Sequence, residues 1–125
     1  MYNVVVRGKA ETSYKFKEEL DGIDCHDCFS DYMDIIENCD GAVTGGHLQF
    51  IFEDGKLWSV TTYESSRELT KEELAIVEDY TSGQWSDGIG EGFEQYPCYE
   101  GRAGEEVYIS PWYWKQKRTI TQTKI

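Results

Sequence analysis

Asp54-Gly55, set between two alternating apolar runs, constrains this chain more than any other short segment. A two-residue hairpin turn needs positive φ at both central positions, and Asp-Gly supplies it at low steric cost. The dipeptide therefore predicts two antiparallel strands, Leu48–Glu53 and Leu57–Tyr63, separated by Asp54-Gly55-Lys56. Side chains alternate across a strand, so Leu48, Phe50 and Phe52 share one face.

The flanking sequence supplies elements for that hairpin to pack with. Tyr2–Lys9 is β-branched and reads as a strand, with Thr12–Phe16 as a short second one. Leu20–Cys28 is turn-like. Ser30 is an N-cap residue for a first helix in which Phe29, Tyr32, Met33 and Ile36 form the buried stripe, with Asp31, Asp34 and Glu37 opposite. Asp40-Gly41 closes that helix, and Gly45-Gly46 is a break. Thr70-Lys71-Glu72-Glu73 is a capping box for a second helix running to about Tyr80, with Leu74, Val77 and Thr81 on its core face and Ala75 and Ile76 broadening it. Ser82–Pro97 is a glycine-punctuated loop. Glu105–Trp114 and Arg118–Thr123 are closing strands, and Pro111 marks an edge or a bulge.

Consecutive strands joined by short turns give a largely antiparallel sheet. The expected fold is α+β, about five strands with two helices, in one compact domain spanning residues 1–125. Aromatic residues make up 14% of the chain, enough bulky side chains for a core. No apolar run approaches the roughly 20 residues that span a bilayer, and the N-terminus reads as a strand rather than a signal peptide. The expected location is cytoplasmic.

Charge separates the function classes. Twelve Lys and Arg stand against 24 Asp and Glu, a net charge of -12 where about 2 to 8 would secure solubility. From Glu18 to Gly55 there are eleven acids and neither Lys nor Arg, whereas Lys115, Lys117, Arg118 and Lys124 in the tail meet no acid. Such a field repels nucleic acid and membranes and steers basic partners in. The residues expected to meet one are Glu18, Glu19, Asp21 and Asp24, with Asp31, Asp34 and Glu37 on the first helix. The plainer account is a solubilising surface. The aromatic-basic run Tyr108, Trp112, Tyr113, Trp114, Lys115, Lys117 and Arg118 reads as a core strand with edge charges, since the rest of the chain opposes base stacking; the alternative is self-association, the basic tail meeting an acidic face of another copy.

Asp24-Cys25-His26-Asp27-Cys28 has the spacing at which a tight turn aims two thiolates at one zinc ion. His47 and Cys39 are the further ligands of a structural zinc site, with Cys98 or His26 as substitutes. Cys39 lies about 14 Å from Ser30 along a helix of 1.5 Å rise, so either that helix is shorter or Cys39 is a buried free thiol. The competing account is a pair of ordinary thiols. A redox pair is opposed by Asp24, Asp27 and Asp31, which disfavour thiolates.

The loop 82–97 carries Asp87, Glu91 and Glu94 among glycines. Those carboxylates repel phosphate, and the loop lacks the Lys of a nucleotide-binding turn. They suit a hard cation, a small ligand or acid–base work; otherwise Trp85, Phe93 and Tyr96 plug the loop into the core. Two His serve hydrolytic triads poorly, so no enzyme is expected.

Ser86-Asp87-Gly88-Ile89-Gly90-Glu91-Gly92-Phe93-Glu94-Gln95 resembles a segment of small proteins from bacteria and their mobile elements. It marks a family and assigns no activity. In being short, acidic and without enzymatic signature, the whole chain also resembles phage anti-CRISPR proteins, especially Cas9 inhibitors. That resemblance implies a non-enzymatic inhibitor whose partner is a Cas9-type nuclease with a positively charged nucleic-acid channel. The alternatives are a small-ligand binder or carboxylate enzyme using the 82–97 loop, and a zinc-stabilised interaction module.

Overall fold

The computed structural model describes residues 1–25, 32–88, 99–111 and 119–125, and within these all side chains except those of 25, 32–34, 79, 80, 82–88, 110 and 111. In chain order the strands and helices are β1 (Tyr2–Thr12), β2 (Asp24–Cys25), α1 (Tyr32–Asn38), β3 (Val43–Glu53), β4 (Lys56–Ser65), α2 (Lys71–Gly88), β5 (Tyr99–Glu100), β6 (Glu106–Val107), β7 (Ile109–Pro111) and β8 (Thr119–Lys124). The main sheet runs β2-β3-β4-β1, and the far edge of β1 is shared by β7 and β8. Every described strand pair is antiparallel. The fold is therefore the expected α+β arrangement of two helices with an antiparallel sheet.

The hairpin forms where the dipeptide places it. Asp54 and Gly55 take φ of 54° and 74°, and Glu53 pairs with Lys56 across a two-residue turn. On either side, period-two burial builds the core face. Val4, Val6 and Ala10 of β1, Leu48 and Phe50 of β3, and Leu57 and Tyr63 of β4 are buried. Burying one such aliphatic side chain contributes about 1.5–3 kcal/mol. Ile35, Cys39, Leu69 and Val77 join them in one hydrophobic cluster. The Tyr63 hydroxyl pairs with Thr81 Oγ1 at 2.7 Å, so its polar end is satisfied inside that core.

Several elements differ from expectation. β1 continues to Thr12, and residues 13–16 form no strand; Tyr14 is instead buried and a 3₁₀ turn follows at Lys17–Leu20. Gly45-Gly46 does not break the chain. The β3–β4 register shifts between Thr44 and Gly46, so the glycines serve a β-bulge inside an eleven-residue strand. Among the described side chains Ile35 of α1 and Cys39 just after it, one turn apart, are fully buried, and Ile36 is half-buried. Phe29 and Ser30 lie outside the described residues.

Glu105–Trp114 is not one strand. A 3₁₀ turn at Arg102–Gly104 precedes β6, and Tyr108 separates β6 from β7. Pro111 sits opposite Ala10 on the sheet's edge strand β7, where a missing N–H is tolerated.

Both helix ends that bear on the surface chemistry are built by local rules. Glu73 N–H donates to Thr70 Oγ1 at 3.2 Å and Thr70 N–H to Glu73 Oε1 at 3.0 Å, a reciprocal capping box. At the other end of α1, Gly41 N–H reaches Ile36 O at 2.9 Å and Asp40 N–H reaches Glu37 O at 3.3 Å. This is a Schellman closure, with Asp40 in the left-handed position at φ 52°.

Candidate acidic binding surface

The acidic span begins as a border of the sheet. Leu20 is fully buried and anchors the 3₁₀ turn, and Gly22 at φ 83° turns the chain onto β3. Gly22 N–H then donates to Phe50 O at 2.7 Å, and Phe50 N–H to Ile23 O at 2.9 Å. Asp24 and Cys25 continue the ladder opposite Gln49 and Leu48. Asp21-Gly22 form the expected turn, and the chain then continues through Asp24 and Cys25 as an edge segment laid along β3, while residues 26–28 lie outside the described residues.

These acids divide by what they hold. Asp21 Oδ1 accepts Phe52 N–H at 2.9 Å and ends the ladder. Asp24 Oδ1 lies 3.0 Å from His47 Nε2 and accepts Gln49 Nε2 at 3.2 Å. Glu19 accepts Arg102 Nε and, at 3.0 Å, the Tyr14 hydroxyl. Burial pushes the Glu19 carboxyl up, but the bonds from Arg102 and Tyr14 outweigh it and hold its pKa below the ordinary value. Glu18 and Glu37 are exposed. Asp31 and the Asp34 side chain lie outside the described residues.

The described arginines are committed. Each of the three arginines among the described residues grips a carboxylate: Arg7 holds Glu53 at 3.1 Å, Arg67 holds Glu73 at 2.6 Å, and Arg102 holds Glu19. Arg7 also lies over the Trp58 ring at 4.6 Å, and Arg102 over Phe16 at 3.6 Å. Arg67 binds both Glu73 oxygens and donates to Cys39 O at 3.3 Å, joining the end of α1 to the start of α2. Pairing of this kind leaves the excess negative charge to the remaining surface acids.

The expected zinc ligands are only partly in view. The Cys25 side chain, His26, Cys28 and Cys98 lie outside the described residues. Cys39 is a free, fully buried thiol whose pKa is raised by burial and then by the nearby Glu73 carboxylate. His47, next to the inward-facing Leu48, points to the outer face of β3, and its side chain is 46% exposed beside Asp24. Cys39 and His47 are not brought together. Among the described residues no group of three or more His, Cys, Asp or Glu is placed to hold a metal ion.

The 82–97 segment is not a loop throughout, because α2 runs to Gly88 and takes in the backbone of Asp87. The Asp87 side chain, Glu91 and Glu94 lie outside the described residues, as do Trp112–Arg118. Sequence reasoning missed Tyr14, Arg67 and Arg102. Arg102 and Glu19 are 83 positions apart, and no local pattern announces such a pair. Arg67 is different: six residues before Glu73 and just ahead of the capping box, it was readable as a partner for that carboxylate. No described helix is long and apolar enough to cross a membrane. No family model, curated protein or solved structure matches the chain.

Proposed function

We propose that this chain is an acidic binding protein that docks on a basic, nucleic-acid-handling protein and blocks access of nucleic acid, with a Cas9-type nuclease as the partner. One observation carries the reading: eleven acids and no Lys or Arg lie between Glu18 and Gly55. In that span Asp24 and Cys25 form the sheet border on β3, and Glu18 ahead of them and Glu37 on α1 are exposed. Internal pairing refines the residue set. Of the seven acids expected to meet a partner, the described Glu18 and Glu37 are exposed to trade water for its cations, with Asp31 and Asp34 close to Glu37 in sequence. Glu19, Asp21 and Asp24 chiefly hold the border in shape.

An interface of this kind gains association rate from charge and loses it as salt screens the surface. Binding to purified Cas9-type nuclease, with and without guide RNA, tests the reading. The expected results are competition with nucleic acid and a steep loss of affinity between low salt and about 0.5 M, where the screening length falls to a few Å. Glu18→Lys with Glu37→Lys should weaken binding at least tenfold while leaving the fold intact. Salt-independent affinity, or no competition with nucleic acid, refutes the mechanism.

A further inference from the structure

The two borders of the sheet are built differently. Just before β2, Ile23 N–H returns to Leu20 O at 3.2 Å, and Gly22 O takes Gln49 Nε2 at 3.3 Å. That border is short and charged, the usual protection against strand addition. Among the described residues β8 has no such protection. Thr119-Ile120-Thr121-Gln122-Thr123-Lys124 is β-prone, carries no proline or acid, and has a single charge at its end. Among the described residues no strand lies along its other side.

The pairing parity of β8 is fixed by its end. Tyr2 sits opposite Lys124, and Ile125 N–H donates to Met1 O at 3.0 Å. In an antiparallel ladder this makes Thr119, Thr121 and Thr123 the residues that exchange bonds with β1. Ile120, Gln122 and Lys124 therefore turn their N–H and C=O groups outward. The Gln122 side chain does not block them, since it is engaged with both backbone polar groups of Leu69.

We propose that β8 is a homodimerisation edge, pairing antiparallel with β8 of a second copy across a two-fold axis at Gln122. An antiparallel edge is self-complementary under that symmetry, so both copies use the same groups. Charge favours a second copy here over elsewhere on a chain of net charge -12. The strand brings no carboxylate, and the register sets Lys124 opposite Ile120 of the partner. The two Lys124 residues then stand about 13–14 Å apart at 3.4 Å per residue, beyond a screening length of about 8 Å.

Sedimentation velocity across a wide concentration range tests this directly. The expected result is a reversible rise from the 14.5 kDa monomer to twice that mass. In the same transition, the amides of Ile120, Gln122 and Lys124 should gain exchange protection. Lys124→Pro removes one outward donor and no β1 bond. Thr121→Asp with Thr123→Asp places like charges around the axis. Either change should leave a folded monomer at concentrations where the parent chain is dimeric. A parent chain monomeric throughout, including one whose β8 pairs only with a strand of another protein, overturns the proposal. So does a dimer that survives both sets of substitutions.

Discussion

Asp40 is a residue whose backbone asks for a different side chain. It occupies the left-handed position that ends α1 at φ 52°, where a side chain beyond Cβ is steric cost and glycine is the common choice. Asp40→Gly should raise stability by about 0.5 kcal/mol, read as a higher urea midpoint with unchanged slope. Glu73 is the opposite case, a residue its surroundings hold fast. Hydrogen bonds from Arg67 and the Thr70 N–H keep its carboxyl at about 2 against an ordinary 4.5. The folded pKa lies below the unfolded one, so this stabilisation is complete above the unfolded value and is lost as pH falls from about 4.5 to about 2. Glu73→Gln should cost about 1–2 kcal/mol near neutrality, and urea titrations of the two proteins should converge across that window. Gly101 gives a third residue-level test. A Cβ there would sit 2.9 Å from the Tyr14 ring, so Gly101→Ala should destabilise by about 1–2 kcal/mol through displacement of Tyr14.

At the scale of elements, what was legible in the sequence is what short-range chemistry decides. The Asp54-Gly55 turn and the Thr70–Glu73 box each satisfy themselves within four residues, and both form as the pattern implies. β2 was not legible because its ladder is made by β3, more than twenty positions away, and its own residues carry turn character. α2 outran its expected end because Gly83 and the polar residues after Tyr80 weaken helix propensity without forbidding helix. On the first helix Ile35 is fully buried and Ile36 half-buried, because both fit an apolar face and only packing against the sheet ranks them, while Phe29 and the side chains of Tyr32 and Met33 lie outside the described residues. The acidic span was legible as charge, but the division of its carboxylates between structure and surface depends on distant Arg102, Gln49 and Phe52. Arg67 exposes a coupling between elements. Arg67→Ala should loosen the end of α1 and the start of α2 together, costing about 1–2 kcal/mol with amide protection falling in both helices.

For the whole molecule, the organising strand is β1. It pairs with β4 along one side and with β8 and β7 along the other, so the first strand of the chain is completed by the last. Tyr2 meets Lys124 across nearly the full length of the sequence. A polypeptide emerging from its N-terminus therefore carries a half-bare β1 until residues 119–124 have been made. Non-local pairing of this kind places folding on the millisecond-to-second scale of β-rich domains. Stopped-flow refolding should show that Ile120→Ala speeds unfolding far more than it slows folding, if closure by β8 follows the rate-limiting step. Quality control thus falls on the final strand: a chain truncated before Thr119 would display a long, apolar-lined β1 edge to whatever strand it met first.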